Sequence, residues 1–246
     1  MQKYRLKVEY DGRQYVGWQR QDNGPSIQAA VEEAILNFCG EQVEVIAAGR
    51  TDSGVHALGM TTHFALLNNN HDPATVRKAI NFHLGSQPIK IIETEIVPDS
   101  FHARFSAIER RYLYRILNRQ SPPTLDCGRV WHVSRKLDIA EMQEAAEILI
   151  GEHDFSSFRA KDCQAASPIK TINMIKVTKS GDEIHIVAHA RSFLHRQIRN
   201  IVGSLKLVGE GKWDPEDIER ILLAKNRAKA GPTAPAEGLY FLEVIY

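Results

Sequence analysis

The part of this sequence best suited to chemistry is a short polar loop that carries a single aspartate. Two glycines, Gly49 and Gly54, bracket Arg50 and Asp52 between two segments of strand-like composition. Glycine permits a tight turn, and loops on a rigid scaffold often carry functional side chains. A carboxylate held in this way can act as a nucleophile or as a general base. Taken alone, the same residues are more typical of an ordinary polar turn capped by Asp52.

The flanking residues predict the elements that would hold this loop. Alternating apolar and polar residues, or short apolar runs, predict strands over residues 3–10, 43–48, 60–66 and 89–97. Two helix starts are marked by a capping residue, Ser26 in one case and the Asp72-Pro73 pair in the other. The first of these helices is expected to end at Gly40.

A second set of elements follows in the rest of the chain. The predicted strands cover residues 107–117, 171–178, 183–190 and 239–245. The predicted helices begin at Asp138, at about residue 193 and at Asp214-Pro215. The order of elements lacks the strand-helix regularity of a doubly wound parallel sheet. We therefore expect an α+β fold with an N-terminal domain (1–105) and a related C-terminal domain (106–246), whose largely antiparallel sheets join.

The charge distribution bears on the partner. The net charge is only +1, but residues 1–20, 104–119 and 191–212 have cationic surpluses of three, four and four. Together these segments would form a basic surface suited to a phosphate backbone. The same segments fit equally well with three separate solvated faces.

Composition narrows the class of protein. No run of eighteen apolar residues predicts a membrane span, and three separated cysteines suggest a reducing, cytoplasmic setting. There is no glycine-rich nucleotide motif, and the spaced pair His185 and His189 lacks a third metal ligand. We expect no cofactor and no metal.

Beyond single motifs, the chain resembles the TruA family of pseudouridine synthases over most of its length. Residues 49–57 match the family's GRTDxGVHA loop without a break. Further blocks are similar in order along the chain: Tyr10-Asp11-Gly12, Gly17-Trp18-Gln19, Ser26-Ile27-Gln28, residues 101–107 with Arg111-Tyr112, residues 193–203 and residues 234–240.

The resemblance implies a specific site in a cleft between two domains of the pseudouridine synthase fold. Asp52 matches the catalytic aspartate, and Arg199 matches the arginine that pairs with it from the other domain, where a positive charge would favour the ionised carboxylate. Tyr112 matches the tyrosine that lies against the target base, and Arg50 stands beside Asp52 as a substrate-binding residue. The expected RNA contacts are Arg110, Arg111, Arg115 and Arg196.

The implied reaction is isomerisation of uridine in the anticodon stem-loop of tRNA, by a homodimer. It is redox-neutral and needs no cofactor. Asp52 would either attack a carbon covalently or remove a proton from C2′, and the sequence leaves both routes open. Tyr112 and Arg199 are also compatible with core packing and with a solvated surface, respectively.

Two other functions fit parts of the sequence. A non-catalytic RNA-binding protein would use the same basic segments and would tolerate the loss of Asp52. A glycoside or nucleoside hydrolase would normally need two carboxylates, and the Asp52 loop provides one.

Overall fold

The computed structural model describes residues 1–68 and 71–246. Its contacts divide into two compact units, Met1–Ile108 with Tyr240–Tyr246 and Glu109–Leu239. The last strand therefore belongs to the first unit. The sequence instead predicts that all of residues 106–246 lie in the second domain. The cause is backbone pairing: Tyr240 and Phe241 lie opposite His56 and Ala57 in a parallel ladder.

The described part of the first unit is a sheet with two α-helices. Its described strands are β1 (Gln2–Tyr10), β2 (Ile46–Ala47), β3 (His56–Leu66), β4 (Ile89–Val97) and β10 (Leu239–Ile245), the last of which begins one residue before the unit boundary. The helices are α1 (Ile27–Cys39) and α2 (Pro73–Leu84). The strand order is β4-β1-β3-β10, with β2 on β3. Alternation in β1 buries Tyr4, Leu6 and Val8 completely, as the sequence predicts.

Two of the strands predicted in this unit have wrong boundaries. The strand expected over 43–48 is reduced to β2, because the backbone of Val45 bonds to side chains of α1 instead. Its N–H donates to Glu32 Oε1 at 3.0 Å, and its carbonyl accepts from Gln28 Nε2 at 3.3 Å. The strand expected from residue 60 starts at His56, because β1 pairs with it as far as Ala57.

The second unit is another largely antiparallel sheet with three described helices. Its described strands are β5 (Glu109–Leu117), β6 (Trp131–His132), β7 (Gly151–Asp154), β8 (Ile169–Ser180) and β9 (Glu183–Ala190). The helices are α3 (Ile139–Glu147), α4 (Gln197–Gly209) and α5 (Pro215–Ala224). The strand order is β5-β9-β8-β7, with β6 parallel to β5. The α+β class with largely antiparallel sheets is confirmed.

The helix predicted from residue 193 begins four residues later, at Gln197. Arg196 has a left-handed backbone with φ of 60°. The N–H of Leu194 donates to Gln197 Oε1 at 2.7 Å, and the N–H of Gln197 donates to the carbonyl of Leu194 at 3.0 Å. These bonds close a separate turn, so Leu194 is buried without being helical.

Within the described residues, no helix is both long and apolar enough to cross a membrane.

Strand β3 contains a buried histidine that the fold holds in its neutral form. His63 is 5% exposed, and its Nδ1 accepts the N–H of Ala103 at 3.1 Å. That bond requires the neutral ring. Burial, and then the positive charges of His102 and Lys3, lower the pKa of His63 from 6.5 to about 4.

Acid is therefore expected to destabilise the fold through His63. Because the pKa is lower in the folded chain, the unfolded chain gains the proton first, and stability is lost as the pH falls from about 6.5 to about 4. The full effect is about 3 kcal/mol. Urea unfolding of the wild type and of His63→Gln, which cannot titrate, measures it. The difference between their free energies of unfolding should change across this interval, and a difference independent of pH would contradict the assignment.

Candidate active site

The loop that carries Asp52 is fixed by the segment that follows β1. The N–H of Trp18 donates to the carbonyl of Thr51 at 3.1 Å, and the hydroxyls of Tyr10 and Thr51 are 2.8 Å apart. Gly17 and Asp52 form an isolated antiparallel bridge. Asp52 itself is partly exposed, and its carbonyl accepts the N–H of Val55 at 3.2 Å. These contacts hold the backbone of the loop, and Asp52 as a whole is neither fully buried nor fully exposed.

Glycines make this close approach possible. Gly17 has φ of 119°, and a Cβ there would lie 2.5 Å from the carbonyl oxygen of Thr51. A Cβ at Gly12 would lie 2.0 Å from the carbonyl oxygen of Val55, on the other side of the loop. Both distances are well inside van der Waals contact, so any side chain would displace the loop.

His56 helps to hold the Asp52 loop in place. The side chain is 2% exposed, and its Nδ1 accepts the N–H of Gly12 at 3.3 Å. Its ring stacks on that of Tyr240 with centroids 4.8 Å apart. Strand β10, which contains Tyr240, therefore packs against the residue that follows the Asp52 loop. His56 and Tyr240 both lie in the family blocks, but their roles could not be predicted from the sequence, because their contact joins residues far apart in the chain.

Arg50 and Asp52 are the predicted site residues of the first unit. Arg50 is exposed, two residues before the aspartate in the same loop. The remaining predicted site residues all lie in the second unit.

Tyr112 lies on β5, opposite Ala188 of β9. Its ring meets that of Phe193 edge to face, with centroids 5.3 Å apart and planes at 88°. Unlike Tyr114 on the same face, which is fully buried, Tyr112 is partly exposed. A partly exposed ring fixed by another aromatic residue is suited to stacking.

Arg199 lies in the first turn of α4 and is oriented by the segment that precedes β10. Its Nε donates to the carbonyl of Ala234 at 2.8 Å, and the N–H of Ala234 donates to the carbonyl of Arg199 at 3.0 Å. Gly203 permits this packing, since a Cβ there would lie 1.7 Å from the carbonyl oxygen of Pro232. Arg199 as a whole is partly exposed.

The four arginines predicted to contact RNA differ in their surroundings. Arg110 is only 8% exposed and donates to the carbonyl of Arg191. Arg115 forms ion pairs with Glu183 at 2.7 Å and with Asp126 at 3.2 Å, and its hydrogen bond helps to lower the pKa of Glu183. Arg111 pairs with Glu109 at 2.8 Å, whereas Arg196 is exposed beside the start of α4. Arg196 is thus the most exposed of the four.

In residues 1–68 and 71–246, no group of three or more histidine, cysteine, aspartate or glutamate side chains is arranged to hold a metal ion.

The chain is similar in sequence to one family of known proteins. The sequence matches the family model described as tRNA pseudouridine synthase over residues 7–106 and 145–246. It is 59% identical, over its whole length and 88% of the relative's, to tRNA pseudouridine synthase A of Rhodospirillum rubrum. Proteins of the same name from Rhodospirillum centenum and Parvibaculum lavamentivorans are 57% and 51% identical over the full length of both chains.

Proposed function

The chain belongs to the tRNA pseudouridine synthase family, and we propose that it converts uridine to pseudouridine in the anticodon stem-loop of tRNA, with Asp52 as the catalytic carboxylate. The observation that supports this most strongly is the Asp52 loop, whose sequence matches the family signature and whose backbone is held on both sides by glycine contacts. An RNA-binding protein without catalytic activity would have no need for this fixed carboxylate.

The reaction exchanges one bond between sugar and base for another. The N1–C1′ bond breaks, the uracil turns, C5 bonds to C1′, the proton on C5 leaves, and N1 gains a proton. Atoms and electrons balance without an oxidant or reductant. The protein must cleave the glycosidic bond, retain the free base and accept the C5 proton.

Asp52 begins the reaction by one of two routes. In the first, its carboxylate oxygen attacks the nucleotide and forms a covalent intermediate. In the second, it removes the C2′ proton and leaves a glycal. Deuterium at C2′ separates them, because only the second route breaks that C–H bond and gives a primary isotope effect.

The remaining site residues have supporting roles in this proposal. The target nucleotide must leave its stack, at a cost of a few kcal/mol, before its glycosidic bond is accessible. Tyr112 provides the surface against which the flipped base lies, and Arg50 contacts the substrate beside Asp52. Arg199 would take part in catalysis. Its side chain is held in place by a hydrogen bond from Nε to the backbone carbonyl of Ala234.

Pseudouridine mapping tests the function directly. Purified protein and unmodified tRNA should yield pseudouridine in the anticodon stem-loop, with neither free uracil nor strand scission. Bulk tRNA from cells without this protein should lack the same modifications. Free uracil would indicate a hydrolase, and binding without conversion would indicate an RNA-binding protein.

Gly17→Ala is expected to misplace Asp52 without touching the substrate. The new Cβ would push against the Thr51 carbonyl, and a shift of this kind lowers turnover by about a hundredfold. Affinity for tRNA should stay within about threefold, because phosphate contacts provide most of it. Single-turnover kinetics and filter binding measure the two effects.

Gly40→Ala is the matched control for Gly17→Ala. Gly40 also has a positive φ, 75°, but among the described residues no atom lies within 4 Å of its Cβ position. The control should lose some stability and keep normal turnover. Equal turnover in the two variants would show that the Gly17 contact does not position Asp52.

Arg196→Gln is expected to weaken tRNA binding through one lost phosphate contact. The slope of log affinity against log salt should become shallower by about 0.7 to 0.9. Arg115→Gln should leave the slope unchanged, since its guanidinium is committed to Glu183 and Asp126. Equal slopes for Arg196→Gln and the wild type would remove Arg196 from the RNA-binding surface.

We also propose that the protein acts in the cytoplasm as a homodimer. The described cysteines are not in disulfides, which suits a reducing compartment. The dimer follows from the family resemblance alone, and sedimentation equilibrium of the purified chain would measure it.

The first unit would carry the catalytic loop, and the second unit would carry Tyr112 and Arg199.

A further inference from the structure

A row of aromatic rings crosses the first unit and ends at an exposed phenylalanine. Successive ring centroids are 4.9, 5.9, 4.9 and 4.3 Å apart along Tyr246, Phe101, His63, His102 and Phe105. The row begins at the partly exposed Tyr246, passes through His63, which is 5% exposed, and ends at Phe105, which is 72% exposed. The proposed reaction assigns no role to this segment.

The exposed end of the row is rigid. His102 and Ser106 close the turn with two hydrogen bonds, Ser106 N–H to the His102 carbonyl at 2.9 Å and His102 N–H to Ser106 Oγ at 3.0 Å. The N–H groups of Arg104 and Phe105 donate to His102 Nδ1 at 3.2 and 3.3 Å. The hydroxyl of Tyr246 donates to the carbonyl of Ala103 at 2.8 Å, which ties the turn to the last strand.

Cationic side chains accompany the rings. The Arg104 guanidinium lies 5.6 Å from the centroid of Phe105, and that of Arg5 lies 5.8 Å from the centroid of Tyr246. Lys3 Nζ donates to the carbonyl of Phe101 at 3.0 Å.

We propose that Phe105, with His102 and Arg104, forms a platform on which an unpaired base of the tRNA stacks. An exposed aromatic ring beside cations is the arrangement that proteins use to bind single-stranded nucleic acid, because every base has a stacking face and the adjacent phosphate is anionic. This inference rests on the proposed function and extends it to a second RNA contact in the unit that carries Asp52.

A lone exposed phenylalanine needs no functional explanation, and Phe82 on α2 provides the comparison. Phe82 is 79% exposed, in the same unit, and its ring meets His83 edge-on at 5.2 Å. Phe105 differs in that its ring lies 4.3 Å from that of His102, tilted by 30°, and has the Arg104 guanidinium over it. The ring therefore has contacts on the protein side while 72% of the residue is exposed.

Binding of unmodified tRNA to Phe105→Ala, Phe105→Tyr and Phe82→Ala tests the platform. Phe105→Ala should bind about tenfold more weakly, with a salt slope parallel to that of the wild type, because stacking releases no counterion. Phe105→Tyr retains the ring and should bind within about twofold of the wild type, as should Phe82→Ala. Melting temperatures should be nearly equal, since both side chains are exposed in the folded protein.

Other results would contradict the stacking platform. Wild-type affinity in Phe105→Ala, or a loss in Phe105→Tyr as large as in Phe105→Ala, would overturn the platform. So would a changed sedimentation mass in Phe105→Ala with unchanged tRNA affinity, which would make the patch a contact between copies of the chain. In all these cases wild-type conversion of uridine remains, whereas failure of the proposed function would appear as a wild type without conversion.

Discussion

Asp52→Asn is expected to abolish isomerisation while leaving tRNA binding nearly intact. The substitution keeps the size of the side chain and most of its hydrogen bonding, and removes the charge that either attacks the nucleotide or takes its proton. Turnover should fall by at least about a thousandfold. The dissociation constant should change by less than about threefold, because affinity comes mainly from phosphate contacts. Single-turnover pseudouridine formation and filter binding on the same preparation measure both quantities.

Asp22→Asn is a suitable control for Asp52→Asn. Asp22 is an exposed aspartate in the same unit, and its replacement removes the same charge from a turn outside the catalytic loop. The control should behave as the wild type in both assays. Substantial turnover by purified Asp52→Asn would end the assignment of this residue as the catalytic carboxylate.

Substitutions of Tyr112 are expected to produce the second-largest loss. Tyr112→Leu removes the stacking surface, worth about 1–3 kcal/mol for one base, and should reduce turnover severely while tRNA remains bound. Tyr112→Phe retains the ring and loses only the hydroxyl. If the hydroxyl takes part in proton transfer at C5, the phenylalanine variant should be almost as inactive as the leucine variant. We expect both variants to be folded, to bind tRNA and to be strongly impaired in turnover.

Tyr114→Leu separates stacking from core packing. Tyr114 is two residues further along the same strand face, fully buried, and its hydroxyl donates to the carbonyl of Pro235 at 2.8 Å. Its loss should cost about 2 kcal/mol or more of stability, whereas Tyr112→Leu should cost much less. Near-normal turnover in Tyr112→Leu would remove Tyr112 from the active site.

Elements whose ends are set by local chemistry were predictable. Strands β4 and β10 have the predicted boundaries, residues 89–97 and 239–245. Helix α1 follows Ser26, whose hydroxyl accepts the N–H of Ala29 at 3.2 Å, and is followed by Gly40 in a left-handed conformation. Such caps act within one turn of the chain, so the sequence alone contains the cause.

Elements whose ends depend on residues far away in the sequence were not predictable. The end of β2 depends on side chains of α1, and β6 consists of two residues paired in parallel with β5. No periodicity is visible over two residues. The late start of α4 has a local cause that was also missed: Arg196 has a left-handed backbone, which is uncommon for a residue other than glycine, asparagine or aspartate.

The sequence by itself determined the family, the α+β class and the residues proposed for catalysis, because ordered motifs and local periodicities are properties of the chain. Only the tertiary structure decided which of the arginine side chains are exposed. Arg110, Arg115 and Arg196 are alike as letters, yet the first is buried and the second lies between two carboxylates, whereas the third is exposed. Tertiary contacts also placed Tyr246 beside Phe101 and connected the turn at Phe105 to the last strand. Burial and pairing are set by residues far away in the sequence, and folding brings these together.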